Sequence, residues 1–443
     1  MRLGGALILA VLLLAGAARD AAAQRPAVIV TDPSARAFKA AIQRFTDQQA
    51  VPDARRLTEL RERIGAALVF SKVFSVIDPK AFLGPDETAG LDGVPPPVCP
   101  DWSQIGADAL IEGTVVTEPR GMAVQFHVWD VVRCRRLKRK RYFGNPGDVD
   151  VIARRIADDV IEAFTGRHGM SSTEIAFVSD RSGRKEIYVM SSDGTDIRGA
   201  TRNRSINAFP DWSPKGNEII YTSYRLGGQP TLFLLTRGRR KPGQLLSTLD
   251  DSAPIYRGTF DPKGSRIAFV MSVNGAPELF TSRRDGRSLK RLTRHRAIDI
   301  SPAWSPDGRR MAFVSDRSGA PQLYMMGSDG SNVRRLTYDG AYNTSPAWSP
   351  DGNWIAYESR VGGQFDIWII DPAGTSSSPL VTHPRSDEGP TWSPDGRWLA
   401  FSSTRRGNAD IYAVGIDGKN LRRLTKGAGN NTSPAWGPHP AAR

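Results

Sequence analysis

The chain has 443 residues, 40% of them hydrophobic and 24% charged, enough apolar material for two domains with cores of their own. Its formal net charge of +14 favours acidic partners or anionic surfaces. Only two cysteines and five histidines are present, and no two histidines stand at metal-ligand spacing, which argues against a metal enzyme.

Residues 1–23 read as a signal peptide. Arg2 precedes the apolar run Ala6 to Gly16, and Ala21-Ala22-Ala23 supply the small residues that signal peptidase requires before Gln24. The run is too short to span a bilayer comfortably and no Cys follows it, so neither a spanning helix nor a lipoprotein anchor is expected. A soluble protein exported to a bacterial periplasm follows, and export disfavours a nucleic-acid partner.

Residues 24–165 read as a small α/β domain. Ala27 to Thr31 is a candidate strand, and Ala35 to Phe45 reads equally well as helix or strand. Asp53 caps a helix with Leu57, Leu60, Ile64, Ala67 and Leu68 at i, i+3, i+4 spacing. Another strand at Val73 leads into a Pro-rich loop ending near Pro100, and Asp108–Thr117 and Met122–Val132 alternate about a turn as a hairpin. A last helix carries Val149, Ile152, Ile156, Val160, Ile161 and Phe164 and stops at Gly166. Cys99 and Cys134 are either bridged, which an oxidising compartment permits, or two separately buried thiols. The run Arg133 to Arg141 has seven basic residues in nine, fitting a solvated edge strand or a docking site for an anionic surface.

After a linker, 166–173, residues 174–443 repeat. Trp212, Phe260, Trp304, Trp348, Trp392 and Trp436 follow one another at steps of 48 and then 44 residues, a spacing characteristic of propeller blades. An apolar strand follows each of the first five, while Ile175 begins a strand with no aromatic turn before it. The segment around Trp436 can supply the missing innermost strand, closing six four-stranded blades into a ring. The expected fold is thus an α+β N-terminal domain followed by an all-β six-bladed propeller closed by the C-terminal strand.

No HExxH, GxSxG, GxGxxG or P-loop is present. A binding module is favoured over the rival reading, a propeller lyase or peptidase-related enzyme acting on an acidic saccharide or peptide in the channel, for which His295 and His383 would be the nearest histidines. Five residues before each aromatic stand Asn207, Ile255, Asp299, Asn343, Asp387 and Asn431. Five of these six Asx-type positions either bond their own backbone at a strand start or form a ring of acceptors at the channel mouth, suited to peptide amides or Ca²⁺. Ser301, Thr344, Ser345, Glu388, Thr432 and Ser433 stand beside them. Arg181, Arg225, Arg317, Arg360 and Arg405 lie in the loops after the second strands at the same end, as solvated arginines or as contacts to acidic side chains.

The leader, the first-domain phrase WSQIGADALIEGTVV, the helix ending EAFTG, and six blades with SPAWSPDG and IAFVSDRSG together resemble the TolB family, periplasmic components of the Tol-Pal system. The resemblance implies a non-catalytic, monomeric adaptor without a cofactor that supports outer-membrane integrity and constriction during division, meeting the outer membrane only through its partners. Its channel mouth would bind the peptidoglycan-associated lipoprotein Pal through residues including Arg257, Asp299, Ile300 and Thr344, and would be open to colicins and to outer-membrane porins or lipoproteins. The mature N-terminal segment, Gln24 to Ser34 with Arg25, Val28, Val30 and Asp32, would engage TolA.

Overall fold

In the computed structural model, which describes residues 36–47, 53–84, 86, 97–119, 121–239, 242–245, 253–427 and 429–440, the N-terminal chain runs β1 (Phe38–Ile42), β2 (Thr46–Asp47), α1 (Ala54–Phe70), β3 (Phe74–Val76), α2 (Cys99–Gln104), β4 (Ala109–Glu118), β5 (Gly121–Asp130), β6 (Arg135–Gly144) and α3 (Val149–Thr165). The sheet order is β3-β1-β4-β5-β6, with β2 added alongside β4. The stretch left between helix and strand is therefore a strand. β1 pairs in parallel with both β3 and β4 and buries Ala40, Ala41 and Ile42. The candidate strand Ala27–Thr31 lies outside the described residues.

Asp53 caps α1 by accepting the Arg56 N–H at 3.1 Å, and Leu57, Leu60, Ile64 and Leu68 turn inward to the sheet. Helix α3 lays Ile152, Ile156, Val160, Ile161 and Phe164 on the same core and ends at Gly166, whose φ of 70° is the left-handed cap that glycine takes without strain. Helix α2 falls where the Pro-rich text read as loop. Pro100 in its first turn is tolerated because the missing N–H has no helical partner there. The helix seats Trp102 with Ala41, Leu110, Trp129 and Val131 in a second, small core. Cys99 and Cys134 are bonded, with Cα atoms 5.7 Å apart, so α2 is tied to the turn before β6.

The basic run occupies the edge strand β6. Lys138 and Lys140 lean onto α3 and pair with Asp159 at 2.7 and 3.0 Å, Lys138 also meets Glu162, and Arg141 meets Glu118. Arg133 pairs with Asp130 at 2.7 Å. The seven charges are thus largely answered within the domain, but Arg135 and Arg136 have no carboxylate partner among the described residues.

Six four-stranded antiparallel sheets follow. The innermost strands of blades I to VI are Asn207–Trp212, Ile255–Phe260, Asp299–Trp304, Asn343–Trp348, Asp387–Trp392 and Asn431–Trp436. Blade VI is composite. Its inner strand Asn431–Trp436 pairs with Glu174–Ser179, so the two ends of the repeat are stitched together. Each recurrent aromatic packs on the preceding blade, as Trp348 does on Ala312, Val314 and Leu323 and Trp392 on Ala356 and Ile367.

The N-terminal domain rests on the end of the ring that carries the Asp-Gly turns. Phe70 stacks on Trp398 with centroids 5.2 Å apart, and Arg422 lies over both rings. Lys72 reaches Asp417 at 3.2 Å, and the buried Arg154 joins Asp150 at 2.7 Å to Asp193 at 2.9 Å. Phe70, Lys72 and Arg154 all make these contacts at that one end of the ring.

Candidate functional site: the propeller channel and its mouth

Every innermost strand bends at the same place. The pairing register slips between the fourth and first residues before the aromatic in all six blades. The cause is in the repeat itself: the second residue before the aromatic is Pro210, Pro302, Pro346, Pro390 or Pro434, and Gly258 in blade II. Proline has no N–H to give the ladder, so the strand bulges. The residue ahead of that position stands at positive φ in all six blades, blade II with its Gly258 included: Phe209 52°, Arg257 52°, Ser301 55°, Ser345 52°, Gly389 66° and Ser433 50°. Five of the six are not glycine, each at a cost of roughly 1 kcal/mol, a pattern that collects where a site must be shaped. The bulges turn these six residues into the channel.

The resulting cavity, about 820 Å³, runs from that ring of bulges to the turn prolines Pro214, Pro262, Pro350, Pro394 and Pro438 at the far end. Of the residues expected at the mouth, Arg257, Ile300, Ser301, Thr344, Glu388 and Thr432 line it. The other five do not. Asn207, Asp299, Asn343, Asp387 and Asn431 are fully buried, so the ring of free acceptors, and the Ca²⁺ site drawn from it, is corrected. They tie strands together within and between blades instead: Asp299 takes both its bonds from Arg317 at 2.9 Å, Asp387 takes its own from Arg405, and Asn431 accepts from Arg181 at 2.9 Å. Asn207 and Asn343 bond to Glu186 and Gln322. Arg181, Arg317 and Arg405 are accordingly structural. Among the described residues no three His, Cys, Asp or Glu side chains are placed to hold a metal ion.

Asp299→Ala would leave the Arg317 guanidinium, one-fifth exposed, without its carboxylate. A loss of about 2 kcal/mol of stability is expected, below the full buried-pair figure because Arg317 keeps some solvent. Denaturant melts of this variant should shift while any channel ligand binds the folded fraction unchanged.

Phe209, Tyr342, Glu358 and Phe365 are among the channel residues that escaped the sequence reading. Glu358 stands where the other blades put Val178, Thr222, Val270, Val314 and Ser402, and the break in that series was the available signal. Its carboxylate crosses the blade seam to accept the Gly389 N–H at 2.6 Å, which brings it beside Glu388. Burial pushes the Glu358 carboxyl up, and burial together with Asp387 does the same to Glu388. Arg257 lies over the Phe209 ring at 3.9 Å and donates to Ser301 Oγ at 2.7 Å, and burial pulls its guanidinium below its ordinary value. His295 and His383 are outside this wall. Each turns its Nδ1 to a local N–H, of Ala297 and Arg385 respectively.

Deeper in the wall Asp211 accepts from Thr259 Oγ1 at 2.8 Å and the Phe260 N–H at 3.2 Å, linking blades I and II. Burial raises it to about 6. An unfolded Asp titrates near 3.9, so the folded protein holds the proton more tightly and this group's contribution to stability falls as pH rises from about 4 to about 6. Asp211→Asn should flatten that segment of a melting-temperature profile, and an unaltered slope would assign the fall to other groups.

The family described as the TolB beta propeller domain matches residues 161–440, and the one described as the TolB amino-terminal domain matches residues 26–137. The chain belongs to the TolB family. The Tol-Pal system protein TolB of Anaeromyxobacter dehalogenans (strain 2CP-C) is 36% identical over 299 residues, covering 68% of this chain and 67% of that one. The TolB of Syntrophotalea carbinolica is 37% identical over 209 residues, 47% of this chain and 48% of its own. In fold, the crystal structure of TolB from Acinetobacter baumannii superposes with a TM-score of 0.75 at 23% identity over 91% of this chain and 97% of that one. Membership of the TolB family places the chain in the Tol-Pal system, and an N-terminal domain followed by a propeller is the architecture its two family matches describe.

Proposed function

We propose that the protein is a non-catalytic periplasmic adaptor whose channel mouth docks the lipoprotein Pal, while its mature N-terminal segment, with Gln24, Arg25, Val28, Val30 and Asp32, engages TolA. That segment lies outside the described residues, so the support for its role is family membership alone. The observation that carries the Pal half is the distribution of exposed apolar side chains. Among the described residues of the propeller ten large ones are exposed, and seven, Ile206, Tyr224, Leu226, Ile298, Tyr338, Tyr342 and Val361, stand on the loops around the channel mouth. An apolar rim about a polar, partly desolvated centre is the anatomy of a protein-docking surface.

Titration calorimetry of the mature protein against the soluble domain of the cognate Pal tests this. Wild-type binding is expected, weakened at least tenfold by Tyr342→Ala with Ile298→Asp. A folded wild type that ignores Pal would remove the reading.

A further inference from the structure

We propose that the end of the N-terminal domain formed by the β5–β6 turn and the start of α2 is a peripheral docking site for a bilayer surface carrying anionic phospholipid. Nothing in this depends on the channel-mouth reading.

Among the described residues of the N-terminal domain the three most exposed large apolar side chains are Val132, Val98 and Leu83, at 72%, 62% and 61%. They converge. The Cys99–Cys134 bond holds the residue after Val98 within 5.7 Å, Cα to Cα, of the turn that carries Val132. One turn along α2, Trp102 packs edge-on against Phe82 with centroids 4.9 Å apart, which sets Leu83 at the same end. Beneath them Trp102, Trp129 and Val131 form a buried floor, so the three aliphatics are presented on a firm base.

Cations frame them. Arg133 belongs to the same turn, Arg135 and Arg136 open β6 directly after it, and Lys80 stands two residues before Phe82. Of the nearby carboxylates, Asp130 is paired with Arg133 and Asp108 with Arg36, while Asp78 accepts the Lys80 N–H, which leaves its charge in place. Asp101 alone among them shows no such partner, against two unpaired guanidiniums, Arg135 and Arg136, the latter over the Trp129 ring at 5.7 Å. Beside arginines the three aliphatics suit the acyl boundary of a bilayer, where guanidinium groups stay with the phosphates.

The test is co-sedimentation of the purified mature protein with phosphatidylcholine vesicles, with and without phosphatidylglycerol, at low and high salt. Binding is expected only with the anionic lipid and is expected to fall with salt. Each arginine at an anionic surface changes partitioning by about fivefold, so Arg135→Glu/Arg136→Glu should reduce binding more than tenfold. Val132→Asp should weaken it as well, and both variants should melt as the wild type does, because the altered side chains are exposed. Lys263→Glu/Arg309→Glu removes the same charge from exposed propeller turns and should bind normally. Absence of wild-type binding to anionic vesicles would overturn the proposal. So would equal losses in the two double variants, which would trace binding to overall charge, or full binding by Val132→Asp. Capture of soluble polyglutamate in place of vesicles would also overturn it and point to an acidic protein.

Discussion

Removal of residues 430–443 is expected to leave no cooperatively folded ring. The segment supplies the inner strand of blade VI, pairing Asn431 with Ser179, Thr432 with Val178, Ala435 with Ala176 and Trp436 with Ile175. It also reaches both neighbouring blades. Trp436 packs with Trp398, Ala400 and Ile411 of blade V, and the Ala435 carbonyl accepts from the Trp212 indole of blade I at 3.1 Å. Without the segment, Glu174–Ser179 becomes an open, apolar edge ready to pair with another chain. Trp436→Ala alone should cost about 3–5 kcal/mol, the range for emptying a buried aromatic site. Size-exclusion chromatography and urea melts check both: aggregated or expanded truncated protein and a lowered midpoint for Trp436→Ala are expected. A monomeric truncated chain with the wild-type midpoint would show that the ring closes by other contacts.

The architecture was legible because its signals repeat. An aromatic and a Pro-containing turn recurring every 44 residues leave little freedom, and the unmatched strand at Ile175 with the unmatched Trp436 already implied the composite blade. The site was only half legible, for a local reason. Counting five residues back from the aromatic found the Asx positions, where short polar side chains are concentrated, but those side chains face the blade. The channel belongs to the third and fourth residues back, because Pro in mid-strand bulges the chain and re-aims one residue per blade. That bulge hides behind an ordinary alternation, and five of its residues, Phe209, Arg257, Ser301, Ser345 and Ser433, would not be chosen for left-handed backbone on propensity. Similarly, the charge of the Arg133–Arg141 run was evident while its internal partners were not, since Asp159 and Glu162 approach Lys138 only after α3 folds onto the sheet.

Arg257→Leu should separate function from stability. The guanidinium is half-buried and lies over the Phe209 ring, yet among the described residues its hydrogen bond is to a neutral hydroxyl, Ser301 Oγ, and no carboxylate lies within ion-pair distance. A half-buried cation so placed costs the free protein desolvation without the return of a close counter-charge, and an apolar replacement of similar bulk relieves that cost. The variant should therefore melt at or above the wild-type temperature. A docked partner that supplies an acceptor to this group recovers the full value of a charge-assisted bond in a dry site, so losing it should weaken Pal binding by about 3 kcal/mol, roughly a hundredfold. Arg257→Lys should recover little, because a compact ammonium cannot lie flat on the Phe209 ring while donating sideways to Ser301 and a ligand. Calorimetry and thermal melts on the three proteins decide the matter. A destabilised Arg257→Leu with unchanged affinity would make Arg257 a structural post of the channel wall, and the docking centre would then have to be sought at Glu358 and Glu388.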